Sequence, residues 1–158
     1  MNDLREKCAV FGIFGNNDPK TNETAREIYF GLFALQHRGQ EHSGIAVTDG
    51  KKLYHHKSSG LVSQIYNEEI LSKLKGYAGI GHNRYSTSRG NHVDFAQPFA
   101  YTKSKVFFGL AHNGNLPSIA KLVEFLKENK EETRDHSDSQ LMMQAIGCLL
   151  YTSDAADE

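Results

Sequence analysis

Apolar residues along this chain recur in two periods, and the switches between them mark out the elements. Residues 10–14, with Val10, Phe11, Ile13 and Phe14 around Gly12, are β-rich and run into Gly15-Asn16-Asn17-Asp18-Pro19, which predicts a strand and a turn. Thr21 or Asn22 can cap a helix reaching to about residue 36, in which Ala25, Ile28, Tyr29, Leu32, Phe33 and Leu35 fall at helical spacing. His37-Arg38-Gly39-Gln40-Glu41-His42-Ser43-Gly44 is polar and glycine-punctuated and predicts a loop. Residues 45–47 and 53–56, separated by Thr48-Asp49-Gly50-Lys51, predict a hairpin, followed by a turn at 60–62 and a short helix at 67–74.

Further on, residues 77–82 predict a buried strand leading into Asn83-Arg84-Tyr85-Ser86-Thr87 and a loop through Asp94. Residues 97–101 and 106–111 predict two more strands, the second ending in His112-Asn113-Gly114-Asn115. Pro117 suits the first position of a helix whose buried face is Ile119, Leu122, Val123 and Leu126. After a charged connector at 131–137, Asp138 or Ser139 opens a last helix carrying Leu141, Met142, Ala145 and Ile146. No repeat, linker or second-domain boundary interrupts the pattern. Strands with hairpin-length connections, mixed with separate helices, predict one antiparallel α+β domain.

Composition narrows the partners. The chain has 158 residues, enough for one domain with a sizeable core, and its 39% hydrophobic and 23% charged content is that of an ordinary soluble protein. A formal charge of −1 gives no electrostatic case for nucleic acid or a membrane surface. The longest strongly apolar run, 106–111, is far too short to span a bilayer, and the start of the chain lacks a signal-peptide core. Two cysteines without a secretory signal point to a reducing cytoplasm. The tail from Cys148 to Glu158 reads as the in-frame translation of a transposon-type sequencing adapter. The expected native segments are therefore a leader at 1–7 and a domain at 8–147, with 148–158 foreign. Without Asp154, Asp157 and Glu158 the formal charge turns positive, and Cys8 is the one authentic cysteine.

Candidate chemistry begins at Cys8. It opens the first predicted strand behind Met1 to Lys7, a polar stretch with Asp3, Arg5, Glu6 and Lys7 and no apolar face. Removal of that stretch would leave Cys8 terminal, with an α-amino group titrating near about pH 8 to serve as general base beside its own sulfur nucleophile. As an internal residue Cys8 reads instead as a small buried hydrophobe. Three polar clusters follow strand ends or open elements. Arg84, with Tyr85 and Thr87, can clamp a carboxylate or make a surface ion pair. Asn113-Gly114 can direct an amide and a backbone N–H at a developing oxyanion or form a hairpin turn. Asp138, within Ser137-Asp138-Ser139, can accept from a substrate ammonium or cap the last helix.

The histidines add less. Strand neighbours point to opposite faces, which places His82 with Arg84, turns His112 away from Asn113 and splits His55 from His56. That serves neither a cysteine–histidine dyad nor a metal site. Gly79-Ile80-Gly81 lacks the third glycine and the helix of a dinucleotide loop.

In order, Cys8-Ala9-Val10-Phe11-Gly12-Ile13, Leu35-Gln36-His37-Arg38-Gly39-Gln40-Glu41, Gly79-Ile80-Gly81-His82-Asn83-Arg84-Tyr85-Ser86-Thr87, Gln97-Pro98-Phe99, Ala111-His112-Asn113-Gly114-Asn115-Leu116 and Ser137-Asp138-Ser139 resemble the glutaminase domain of amidophosphoribosyltransferases. Glucosamine-6-phosphate synthases, of the same amidotransferase class, differ in pattern at 36–41, 84–86 and 113–115. A glutamine-binding domain that keeps its leader and does no chemistry is the other alternative. The resemblance implies an Ntn-hydrolase αββα sandwich of two antiparallel sheets between helical layers. It implies that Cys8, made terminal, attacks the glutamine side-chain amide through a thioester. Asn113 and Gly114 would form the oxyanion hole, Arg84 would hold the α-carboxylate and Asp138 the α-amino group. Arg38 and Tyr85 would support the loop through Thr87 that closes over substrate. Ammonia would pass to phosphoribosylpyrophosphate on a following domain, a glycosyltransferase reaction giving 5-phosphoribosylamine at the first step of purine synthesis. The resemblance implies no cofactor or metal in this stretch. Magnesium and a cysteine-ligated 4Fe–4S cluster would belong to the following domain, and the complete protein would be a homo-oligomer. Two positions depart from the family pattern. Arg89 stands where a small residue is usual in the closing loop, and Gln140 replaces a glutamate at the helix start.

Overall fold

The computed structural model describes residues 8–15, 23–85, 93–134 and 136–156. Within them lie β1 (Ala9–Phe14), α1 (Thr24–Ala34), β2 (His42–Thr48), β3 (Leu53–Ser59), α2 (Val62–Ile65), α3 (Glu68–Lys73), β4 (Ala78–Arg84), β5 (Phe99–Lys103), β6 (Val106–Leu110), α4 (Ala120–Glu128) and α5 (Asp138–Ala156). Single 3-10 turns sit at Gln36–Arg38 and Val93–Phe95. One sheet has the order β1-β4-β2-β3 and the other pairs β5 with β6; every pairing is antiparallel.

Hydrophobic burial explains the layering. On one face of the larger sheet, Ala25, Ile28 and Leu32 of α1 pack with Ile45 and Val47 of β2 and with Val62, Ile65, Tyr66 and Leu74. Gly81 lets the helix come close, because a Cβ there would lie 2.5 Å from Ile28 Cγ2. The opposite face meets the smaller sheet, where a Cβ at Gly109 would lie 3.4 Å from Ala46 Cβ and from Ile80 Cδ1. The outer side of β5 and β6 is covered by α5, and α4 packs on α5 through Leu126, Leu141 and Ala145. The result is the expected α+β arrangement of helix, sheet, sheet and helix. Among the described residues no helix is long and apolar enough to cross a membrane.

Several elements differ from the sequence expectation. Residues 42–44 belong to β2 and are not loop, because β2 is an inner strand paired on both sides and takes His42 and Ser43 into the interior with it. Residues 62–65 form a helical turn, with Val62 N–H donating to Gln36 Oε1 at 2.6 Å. The strand predicted at 77–82 extends through Arg84, whose partner in the ladder is His42. Pro117 lies before its helix, which starts at Ala120. The chain crosses the cleft first, tied there by Leu116 N–H donating to Asp138 Oδ2 at 3.0 Å. Thr21 and Asn22 lie outside the described residues, and α1 begins at Thr24 without a side-chain cap bond. At the last helix Ser137 is the cap. Its Oγ accepts from Gln140 N–H at 3.2 Å while its own N–H donates to Gln140 Oε1 at 2.8 Å. Gln140 thus completes a capping box with an amide oxygen.

Candidate active site

The end of β4, the start of β1, the stretch after β6 and the first turn of α5 converge on one side of the molecule. The β1–β4 register pairs Ala9 with Asn83, so Cys8 stands level with Arg84 where both strands reach that rim. Cys8 is half-buried and has a φ of 58°, a left-handed conformation uncommon for a residue with a side chain. Its carbonyl is held from two sides. Arg38 Nε donates to Cys8 O at 2.9 Å and Asn113 Nδ2 donates to it at 3.4 Å. Tyr85 N–H points at Cys8 Sγ from 3.4 Å.

A cleft of about 820 Å³ brings together Cys8, Arg84, Tyr85, Asn113, Gly114 and Asp138. Arg84 stacks its guanidinium over the Phe95 ring, 5.3 Å from the centroid, and its buried Nη1 has no hydrogen-bond partner among the described residues. A buried donor without an acceptor is costly, so this atom is placed to receive one from a ligand. Asp138 lies opposite. Its Oδ1 accepts from Ser139 N–H at 2.8 Å and Ser139 Oγ–H at 3.3 Å, and its Oδ2 accepts from Leu116 N–H. The carboxylate is therefore a tie between loop and helix, while Ser137 does the capping expected of Asp138. Asn113-Gly114 is not a hairpin turn, since the chain leaves β6 for α4 and does not return as a strand.

His82 is buried in the cleft floor, and burial followed by the positive charge of Arg84 lowers its pKa from 6.5 to about 4. It shares its face of β4 with Arg84, as alternation predicts. His112 also lines the cleft and so does not turn away from Asn113. The alternation rule stops applying at Leu110, where β6 ends. Among the described residues the hydrogen-bond partners of Cys8 Sγ are the N–H and carbonyl of Tyr85, not a histidine.

Arg38 sits in the 3-10 turn after α1, directed at the Cys8 carbonyl. Thr87 and Arg89 lie outside the described residues. The sequence reading missed Phe95, Gln97 and Ser139 as parts of the site. Phe95 carries no sequence signal, being eleven residues from Arg84, whereas Gln97 and Ser139 stand inside the Gln97-Pro98-Phe99 and Ser137-Asp138-Ser139 motifs, which gave them no roles of their own.

No protein-family profile matches the chain. It is 42% identical over 148 residues to the amidophosphoribosyltransferase of Methanocaldococcus jannaschii, covering 93% of this chain and 31% of that protein. To the amidophosphoribosyltransferase of Bacillus subtilis it is 39% identical over 144 residues, covering 90% and 29%. Among solved structures, the glutamine phosphoribosylpyrophosphate amidotransferase of B. subtilis complexed with ADP and GMP superposes with a TM-score of 0.72 at 37% identity, covering 85% of this chain and 28% of that one. A structure described as the allosteric regulatory enzyme of purine biosynthesis gives 0.72 at 35% identity, covering 90% and 32%. The chain thus spans about a third of the length of the relatives it matches. Sequence and fold agree: over about nine-tenths of its length the chain is similar to a part of the amidophosphoribosyltransferases.

Proposed function

We propose that the chain is the glutamine-hydrolysing part of an amidophosphoribosyltransferase, working from a terminal Cys8 once residues 1–7 are removed. The observation that carries this reading is the convergence of Cys8, Arg84, Asn113, Gly114 and Asp138 on one cleft. Arg84 binds the α-carboxylate of glutamine through its unpartnered Nη1. Asp138 receives the α-ammonium on Oδ2, which accepts only from Leu116 N–H while Oδ1 takes both donors of Ser139. Cys8 Sγ adds to the side-chain amide carbon, the thiol proton passing to the α-amino group. The oxyanion is met by Asn113 Nδ2, released from Cys8 O, and by Gly114 N–H. The C–N bond then breaks as the Cys8 α-ammonium returns that proton to the nitrogen, giving ammonia and a glutamyl thioester. Water hydrolyses the thioester to glutamate and restores the thiol. Thr87 and Tyr85 contribute to closure over the substrate, with Arg38 holding the nucleophile's backbone.

Ammonia is consumed by phosphoribosylpyrophosphate on a following phosphoribosyltransferase domain of a cytoplasmic homo-oligomer. Magnesium and any iron–sulfur cluster belong with that domain. Among the described residues no three His, Cys, Asp or Glu side chains stand close enough to hold a metal. Residues 148–158 are adapter-derived in this reading.

The test is glutamate and ammonia release from glutamine by protein beginning at Cys8. Equimolar products, abolished by Cys8→Ala, are expected. Hydrolysis that persists without the sulfur would overturn the reading.

A further inference from the structure

His112 has no part in the proton transfers above, yet both its backbone and its ring are held. Its backbone N–H donates to Gln97 Oε1 at 2.7 Å, and its ring Nδ1 lies 3.0 Å from Ser139 Oγ. Gln97 and Ser139 are both buried. Ser139 Oγ is also 3.3 Å from Asp138 Oδ1, an atom that can only accept while the carboxylate is ionised. The Ser139 hydroxyl proton therefore goes to Asp138, and the hydroxyl oxygen accepts from His112. This chain of donors fixes the imidazole as the Nδ1–H tautomer. The far edge of the same ring lies beneath Gly114, where a Cβ would stand 2.6 Å from His112 Nε2. Any larger residue at 114 meets the ring, so the ring sets how near the Gly114 backbone approaches the cleft.

We infer that His112 is a positioning residue: clamped between Gln97 and Ser139, its ring is the bed on which the Asn113-Gly114 donors are aimed. The same chain ties those donors to Asp138, so the groups facing the two ends of a bound amino acid are held as one unit. This inference rests on the glutaminase reading for its catalytic consequence but not for its geometry.

Two arms separate the two. The first needs no activity. Gly114→Ala is expected to lower the melting temperature in the otherwise unaltered protein and to cost much less in a His112→Ala background, where the clash is gone. Equal loss in both backgrounds overturns the bed. The second arm uses glutamine hydrolysis by protein beginning at Cys8. His112→Leu and Ser139→Ala are each expected to lower kcat by about 10-fold or more with KM within about twofold, as misaligned oxyanion donors require. The double variant should be no worse than the poorer single variant. His112→Asn, whose Nδ2–H can stand in for Nδ1–H but which leaves the space beneath Gly114 empty, should recover only part of kcat. Effects carried by KM, or fully multiplicative losses, overturn the inference. If unaltered protein hydrolyses no glutamine while the stability arm behaves as stated, the bed stands and the glutaminase reading fails.

Discussion

Arg38 Nε donates to the carbonyl oxygen of Cys8 at 2.9 Å, joining the turn after α1 to the residue that opens β1. A charge-assisted bond of this kind contributes roughly 1.5–3 kcal/mol, and here it acts on the backbone of the proposed nucleophile. Arg38→Ala should slow glutamine hydrolysis by about 10- to 100-fold through kcat. Arg38→Lys should not restore it, because an ammonium lacks the planar fork. Steady-state glutamate release decides, and an unaltered kcat in Arg38→Ala would remove Arg38 from the site.

Arg84 makes a different demand. Its Nη1 has no partner among the described residues, so its worth appears only when a carboxylate arrives. Arg84→Ala should raise the glutamine KM by about 100-fold, in the range found for truncating one member of a buried charge pair. Isothermal titration with glutamate gives an independent reading, and binding as tight as that of the unaltered protein would refute the clamp.

His82 links stability to pH. Burial and then the Arg84 charge lower its pKa from 6.5 to about 4, so between those values the unfolded chain binds a proton that the folded chain does not. The stabilisation is complete above pH 6.5 and is lost as pH falls toward 4, by roughly 3 kcal/mol from this group. His42 shifts downward as well, chiefly through burial and then Arg84, and adds to the same slope. Urea midpoints should therefore fall steadily across that window, and less so in His82→Gln. A flat profile would contradict the placement of His82.

Gly81 tests the packing of α1. A methyl there would lie 2.5 Å from Ile28 Cγ2 and 2.8 Å from Leu32 Cδ1. Gly81→Ala should cost about 1–3 kcal/mol of unfolding free energy, as overpacking in a dense core does. A midpoint unchanged in urea would mean that helix and sheet are farther apart than described.

Much of this molecule was legible in its sequence, for reasons that differ by element. The α1 stripe at Ala25, Ile28 and Leu32 and the β5 and β6 runs follow from periodicity, because their buried faces are apolar, whereas Phe33, expected in the same stripe, is 53% exposed. His42 and Ser43 misled because polarity reads as solvent exposure, while β2 carries them inside between two partner strands. Pro117 misled because its local preference for a helix start yielded to the tie between Leu116 and Asp138. At the site, Cys8, Arg84, Asn113, Gly114 and Asp138 were found as types suited to the chemistry, and the cleft brings them together. The contact of Phe95 with Arg84 was not legible, since it joins two residues far apart in sequence and no local pattern marks it. The orientation of His112 was hidden because alternation was carried past the end of β6.

The central claim is that sulfur and a free α-amino group must meet on Cys8. Initial rates of glutamate release should be compared between protein whose first residue is Cys8 and protein that retains residues 1–7, with intact mass checked on both samples. The expected result is hydrolysis by the trimmed form alone. Equal rates from the uncut protein would contradict it.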